Sequence, residues 1–549
     1  MLNCGGWRGA GWGCDGPALP PFAVTWFRWN LLGVCVTGCS VYLFVGIEDM
    51  FLRALIGGLT WVAGIAGGIP ADGQTHENAR KPNIVWIVGE NFDLDFGCYG
   101  AENVKTPNVD RLAKQGVRYT NVYSTSPVCA PSRSAFMTGM YATTTDMHHM
   151  RSHRDDDFRL PGGVRPLTLR LQDAGYQTAN VTHIGERVVG TGKLDLNFVN
   201  EGILYQTKLW SDLDTSKPFF AQFNMPEAEY DIYDRKSAEK ERVVWVGEEW
   251  HPKVATEQNV NPPPYYPDHP IVRQEWARYL NSASGMDVRI GWILDQLKKD
   301  GVADDTVVIF FGDNGRLEAR GIHWCFDSGL HVPMVVHWPA NFTAPAGYRE
   351  GMVDERVISL IDLTATTLFI AGLEVPRTMQ GQAFLGPEQG TERRFAFSAR
   401  DRIDETEIRQ RSVRGKRYHY VKNFTPGAGF PTLNRYKEKC FLVKPLMREL
   451  LAAGKLTGPS ADLMKPFANE MLFDTEFDPY ETVNLVNSQV PEHQVVLREM
   501  RSALDTWIAE TRDRGVIPEP REVVAPFEKE MHDWFGTPDW AARQQKLSK

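Results

Sequence analysis

The order of apolar runs predicts an α/β fold: one large, mostly parallel sheet flanked by helices, with a smaller C-terminal α+β subdomain. Three observations carry this. PNIVWIVGEN at 82–91 and DTVVIFFGDNG at 305–315 are short continuous apolar runs that end in polar residues, as strands covered on both faces do. The order helix, glycine, strand occurs twice, in TPNVDRLAKQGVRYTNVYS (106–124) and RPLTLRLQDAGYQTANVT (165–182), an alternation that builds parallel sheets. From 393 to 424, RRFAFSARDRIDETEIRQRSVRGKRYHYVKNF alternates charged and aromatic residues, which suits antiparallel strands.

Taken in order, residues 1–20 are rich in Gly and Trp without a usable period, and residues 30–47, NLLGVCVTGCSVYLFVGI, are just long enough to span a bilayer. Residues 50–73 begin with Met and one Arg, continue apolar and end in small residues, the layout of a secretory signal peptide. The preferred reading takes Met50 as the start and 1–49 as upstream read-through, with a membrane anchor at 30–47 as the alternative. A polar linker precedes the main domain at 82–386. HVPMVVHWP at 331–339 adds a further strand to it, the smaller subdomain covers 387–515 with helical periodicity at 490–512, and 516–549 reads as an exposed tail.

Of 549 residues, 42% are hydrophobic and 23% charged, the composition of a globular chain with a sizeable core. The 60 Lys and Arg against 69 Asp and Glu give a formal net charge of −9, and with no long basic run this excludes nucleic acid as the expected partner. Cys4, Cys14, Cys35 and Cys39 precede Met50, leaving Cys98, Cys129, Cys325 and Cys440 in the body. Their spacing matches neither a zinc site nor a disulfide framework.

Ligand sites in open α/β sheets lie beyond the carboxyl ends of the strands. Glu90, Asn91, Asp313 and Asn314 stand at two such ends. Taken singly, an acidic or amide residue there is more often a helix cap. Between them lies VCAPSRSAFMTGMY (128–141), whose Pro-Ser pair opens a helix. A lone cysteine is ordinarily small apolar filler.

That segment resembles the sulfatase signature, Cys-x-Pro-Ser-Arg followed by a short helix ending in Thr-Gly. The resemblance runs from about residue 82 to 511 and implies an alkaline phosphatase-like fold. It implies that Cys129 is oxidised by a maturation enzyme to formylglycine, whose hydrated aldehyde attacks sulfur with one oxygen and later expels sulfate with the other. Glu90, Asn91, Asp313 and Asn314, with the oxidised Cys129, would then hold a hard cation, Ca²⁺ or Mg²⁺ rather than zinc, Asn91 being a neutral residue where an aspartate is usual. Asp93 and Asp95 are reserves. Arg133 would hold the formylglycine, and Lys193 in GTGKLDLNF the sulfate. That segment is closer to the branch resembling heparan N-sulfatase and bacterial arylsulfatases, with Asp195 where many members carry histidine.

Two departures leave the leaving-group acid open. In KPFFAQFNMPEAEY the expected histidine falls on Glu229, and in DNGRLEARGIHWCFDSGLHVP the expected cation falls on Ile322, flanked by Arg320 and His323. His323, His183, His148 and His149 are the acid candidates, though a single histidine is more often structural. His148, His149, Arg320 and Arg400 are candidate substrate contacts, the arginines suiting an anionic sugar. LFDTEFDPYETVNL (472–485) matches a recurring family segment and is assigned a structural role.

The expected function is hydrolysis of sulfate esters, or sulfamates, on a sulfated carbohydrate by an exported, periplasmic or secreted, metal-dependent enzyme. The alternatives are a phosphonate or phosphodiester hydrolase of the same superfamily, or a degenerate binder of sulfated glycans. On the preferred reading, N-terminal sequencing of the exported protein finds a mature chain without residues 30–47; their retention supports the anchor instead.

Overall fold

The structure, a computed structural model, describes residues 33–37, 40–44, 80–153, 156–199, 202–230, 253–386, 391–535 and 537–538. The chain divides into two units, residues 1–78 and 79–549. In the first, β1 (Gly33–Thr37) and β2 (Ser40–Phe44) pair antiparallel. The described residues of the run at 30–47 are this strand pair. Among the described residues no helix is long and apolar enough to cross a membrane. The signal-peptide-like stretch at 50–73 lies outside the described residues.

In the second unit, strands β3 (Asn83–Gly89), β4 (Val117–Tyr123), β5 (Gln177–Ile184), β6 (Arg187–Val188), β7 (Thr207–Leu209), β8 (Phe219–Met225), β9 (Thr306–Gly312), β10 (Met334–His337) and β11 (Met352–Ser359) form a nine-stranded sheet. The order is β11, β4, β10, β9, β3, β8, β5, β6, with β7 beside β5. The pairings are parallel except those of β10 with β4 and β9 and of β6 with β5. The mostly parallel sheet expected from the sequence is therefore present, and HVPMVVHWP supplies a strand that runs against its neighbours.

Helices α1 (Pro107–Gln115), α2 (Cys129–Thr138), α3 (Leu167–Asp173), α4 (Glu227–Tyr230), α5 (Pro270–Lys299), α6 (Asp327–Leu330) and α7 (Asp362–Ile370) belong to this unit. Side chains of a strand alternate between faces. On β3, Val85 and Ile87 enter the core formed with α1 and α5, while Ile84, Trp86 and Val88 enter the core formed with α2, α3 and α7. Both faces are dry, which is why the run is apolar throughout. Polar chemistry begins only at its end, with Glu90.

Helix α1 begins at a proline, and its N-cap Thr106 makes no side-chain cap. Asp287 on α5 does this instead, accepting from the backbone N–H groups of Asn108 (3.0 Å) and Val109 (2.8 Å). A carboxylate is well suited to free amides at the positive end of a helix.

The second sheet comprises β12 (Ala396–Ile403), β13 (Thr406–Arg414), β14 (Tyr418–Asn423) and β15 (Glu470–Asp474), paired antiparallel in that order. Helices α8 (Arg435–Cys440), α9 (Val443–Ala452), α10 (Gly458–Leu463), α11 (Pro491–Thr511) and α12 (Arg521–Phe535) accompany it. Val413, Tyr420 and Leu472 pack on Leu497, Met500, Leu504 and Trp507 of α11. On the opposite face Ile408, Val421, Met471 and Phe473 meet Trp324, Cys325, Phe326 and Leu330. The expected tail at 516–549 is thereby corrected in part, since α12 buries Val524 and Trp534.

Asp287→Ala leaves two backbone donors at the start of α1 unpaired, at about 1–3 kcal/mol for a buried one. The expected outcome is a stability loss of about 2 kcal/mol in urea denaturation with the fold retained.

Candidate active site

Three adjacent strands end at one place. β3 lies between β8 and β9 in parallel register, Gly89 opposite both Met225 and Gly312. The residues that follow these strands are therefore neighbours: Glu90 and Asn91 after β3, Asp313 and Asn314 after β9, and Glu229 in α4 just beyond β8. The Glu90 N–H donates to Met225 O (2.9 Å) and that of Asp313 to Gly89 O (3.1 Å), carrying the register one residue past the sheet. Asn91 is left-handed, φ 63°, a conformation that asparagine tolerates better than most residues.

Cys129 opens α2, and Val128 before it is extended. Its Sγ lies 3.9 Å from Asn91 Oδ1 and 3.8 Å from Glu229 Oε1. One turn later Arg133 points the same way. Its Nε and Nη2 both lie 2.9 Å from Asp313 Oδ2, Nη2 is 3.5 Å from Glu90 Oε1, and Nη1 donates to Asn224 Oδ1 on β8 at 2.7 Å. Arg133 is 1% exposed and Glu90 and Asp313 are 0% exposed. Removing one member of such a buried set costs about 3–5 kcal/mol, because a charge is left without compensation.

Lys193 arrives from the loop after β6. Its Nζ donates to Glu90 Oε2 at 2.8 Å and lies 3.4 Å from Glu229 Oε2. Asp195, 4.0 Å from Lys193, is also 3.9 Å from Arg151. Burial pushes the Glu90 carboxyl up to about 7 against the pull of Lys193. Burial pushes Glu229 up too, but Lys193 and the Asn91 amide outweigh it and hold this carboxyl below its ordinary value. Burial pushes the Cys129 thiol well up, despite Lys193.

The donor set fits a hard cation. Glu90 and Asp313 offer carboxylates, Asn91 and Asn314 amide oxygens. Glu90 Oε1 and Asn314 Oδ1 are buried without a hydrogen-bond partner, and an ammonium group already sits against Glu90. Such all-oxygen sets suit Ca²⁺ or Mg²⁺ and not zinc.

The other expected residues lie elsewhere. Asp93 and Asp95 are paired with Arg316 at 3.0 and 2.8 Å. His148 and His149 face the second sheet, where His149 Nδ1 accepts from Arg402 N at 3.2 Å. Burial lowers His148 to about 4 and His149 to about 2, so both are neutral near pH 7. Arg320 lies over the rings of Phe326 (3.7 Å) and Tyr265 (4.4 Å) and donates to Glu481 O. Arg400 lies 4.4 Å over Trp324, and His323, left-handed at φ 75°, has its ring 5.2 Å from that of Tyr436. Burial, then Lys437 and Arg400, hold His323 well below its usual value. His183 bonds Thr182 Oγ1 at the end of β5. None of these four histidines joins the contacts around Cys129 described above.

Two residues of the cluster were not among the expected site residues. Glu229 was noted only as occupying a histidine's position, although its place just past a strand end was a signal. Asn224 was missed. A polar side chain in FFAQFNM, the wholly buried β8, was the available clue.

A sequence model described as Sulfatase matches residues 82–373. The chain belongs to the sulfatase family and is a sulfuric ester hydrolase. It is 33% identical over 474 residues to an ulvan-active sulfatase of Formosa agariphila, covering 80% of this chain and 77% of that one. It is 27% identical over 482 residues to human N-sulphoglucosamine sulphohydrolase, covering 80% and 92%. A solved structure described as in complex with its substrate, D-glucosamine-2-N,6-O-disulfate, shares the fold at a TM-score of 0.54 and 16% identity, over 79% of this chain and 99% of that one.

Glu90 yields a pH signature in the cation-free protein. Its folded value near 7 exceeds the ordinary 4.5, so between these values the folded state binds a proton that the unfolded state has released. Its contribution to stability is complete below about pH 4.5 and lost as pH rises through 7. Urea denaturation of Glu90→Gln across this window shows a flatter pH dependence than the parent.

Proposed function

We propose that this sulfatase hydrolyses sulfate esters, or sulfamates, on a sulfated carbohydrate, with Cys129 matured to formylglycine and Ca²⁺ or Mg²⁺ held by Glu90, Asn91, Asp313 and Asn314. The observation that carries the reading is Cys129 at the first turn of α2, within 4 Å of Asn91 and Glu229, with Arg133 one turn on against Asp313 and Glu90. A formylglycine at Cys129 would supply a nucleophilic oxygen, and a cation held by these residues would supply positive charge.

The side chains of this chain do the rest. A buried thiol raised well above its usual range holds little thiolate at neutral pH, and the thiolate is the nucleophilic form of cysteine. An unmodified Cys129 is thus a poor nucleophile, which supports the modified one. Arg133 and Lys193 bring two fixed cations to the place where a sulfate group would sit. In a site with little water such charges stabilise a developing anion more strongly than in bulk solvent. Arg133 is held in place by Asp313 and Asn224 and needs no rearrangement to act.

The named substrates of relatives support a sulfated glycan as the target. The stretch at 50–73 supports export to the periplasm or the outside, and a formylglycine-generating enzyme is the partner that this reading requires.

Mass spectrometry of the Cys129 peptide after expression with a maturation enzyme is expected to show thiol converted to aldehyde. The matured protein then releases sulfate from sulfated polysaccharides, favours aryl sulfate over aryl phosphonate, and loses at least 100-fold in rate on chelation or in Cys129→Ala, roughly the loss for removing a principal electrostatic contributor. Faster phosphonate cleavage points to a phosphonate hydrolase. No turnover by matured, metal-loaded protein points to a glycan binder.

A further inference from the structure

Glu229 has a position that the reaction as described above leaves unused. Its Oε1 accepts from Asn91 Nδ2 at 3.0 Å and lies 3.8 Å from Cys129 Sγ, while Oε2 lies 3.4 Å from Lys193 Nζ. The side chain is 21% exposed, and α4 carries it in immediately past the end of β8.

An ionised carboxylate only accepts hydrogen bonds. Glu229 therefore turns the amide nitrogen of Asn91 toward itself and the amide oxygen away. That oxygen is the one 3.9 Å from Cys129 Sγ, and it accepts from Asn314 Nδ2 at 2.8 Å. The orientation that makes Asn91 a cation ligand is thus imposed by Glu229.

Charge points the same way. Four carboxylates, Glu90, Asp195, Asp313 and Glu229, meet three cationic side chains, Arg133, Arg151 and Lys193, within this cluster. The excess is negative, and a divalent cation converts it to a positive one, the sign that suits a bound sulfate. Without Glu229 the four proposed ligands carry two charges, and both carboxylates already face Arg133.

We propose that Glu229 is the third carboxylate of the cation site, acting with Asn91 as one unit: it orients the Asn91 amide and contributes the negative charge that this amide lacks. In cation binding Glu229 is a positioning residue, acting through Asn91 and through the field at the site. The charge is exchangeable between the two positions, because their polar atoms are 3.0 Å apart. Carboxylates at both would repel.

This rests on the cation reading above, and its test needs no sulfatase activity. Full-length protein carrying the Cys129 thiol is stripped with EDTA, then titrated with Ca²⁺ by calorimetry and with Tb³⁺ by luminescence. Glu229→Gln binds Ca²⁺ at least 10-fold more weakly than the parent, with unchanged circular dichroism and unchanged melting in EDTA. Adding Asn91→Asp to Glu229→Gln restores affinity to within about threefold, a rescue that a purely structural role would not give, while Asn91→Asp alone does not tighten binding. Equal affinity in parent and Glu229→Gln, or failure of the double variant to recover, overturns the inference alone. No binding by the parent overturns the cation reading and the inference with it.

Discussion

The contact on which the site depends is the buried pairing of Arg133 with Asp313. It joins α2, which Cys129 opens, to the end of β9, and through Glu90 to the end of β3. Asp313 serves both elements, since Oδ2 takes the guanidinium while Oδ1 accepts from the N–H groups of Asn91 and Asn314, each at 2.9 Å. One side chain thereby sets the backbone after both strands, at Asn91 and at Asn314. Ser132 Oγ, donating to Asp313 O at 2.5 Å, secures the same loop from the neighbouring position on α2. The Ser and Arg of CAPSR thus have a mechanical role besides any chemical one.

Much of this was legible in the sequence because the sheet is buried on both faces. Apolar runs such as NIVWIVG can end only where the sheet ends, so their first polar residues mark the strand ends, and Glu90, Asn91, Asp313 and Asn314 were placed together that way. Glu229 was harder. It reaches the cluster from a short helix rather than from the strand itself, and only the three-dimensional path after β8 shows where it points. The surroundings of the histidines were not legible because sequence carries no burial: His148, His149 and His323 are buried or nearly so, among arginines and backbone. Arg320 and Arg400 are placed by contacts of a related kind. Their guanidinium groups are taken up by aromatic faces, a use that spacing along the chain does not reveal.

The second sheet is fastened to the first by another polar network. Asp327 on α6 pairs with Arg414 of β13 at 2.7 Å and with His331 at 3.1 Å, and its N–H donates to Glu481 Oε2 at 2.8 Å. Glu481 in turn pairs with His419 of β14 at 2.5 Å. Asp327, His419 and Glu481 lie close enough to hold an ion, but Arg414 and His331 already compensate Asp327. The structural role expected for the segment around Glu481 agrees with this geometry. The network also explains why residues 79–549 form one unit across the change of sheet.

Every residue of α2 is buried, Cys129 at 3% exposure, and the partner that locks it, Asp313, lies 180 residues further along the chain. On a ribosome or in a translocation channel the CAPSR segment therefore emerges long before β9 can close over it. During that interval the segment is an accessible peptide, and afterwards it is sealed. On the maturation proposed above, an enzyme acting on the Cys129 side chain would be in a race against the synthesis and folding of the C-terminal half, and the timing of biosynthesis would set how much of the final protein is chemically competent.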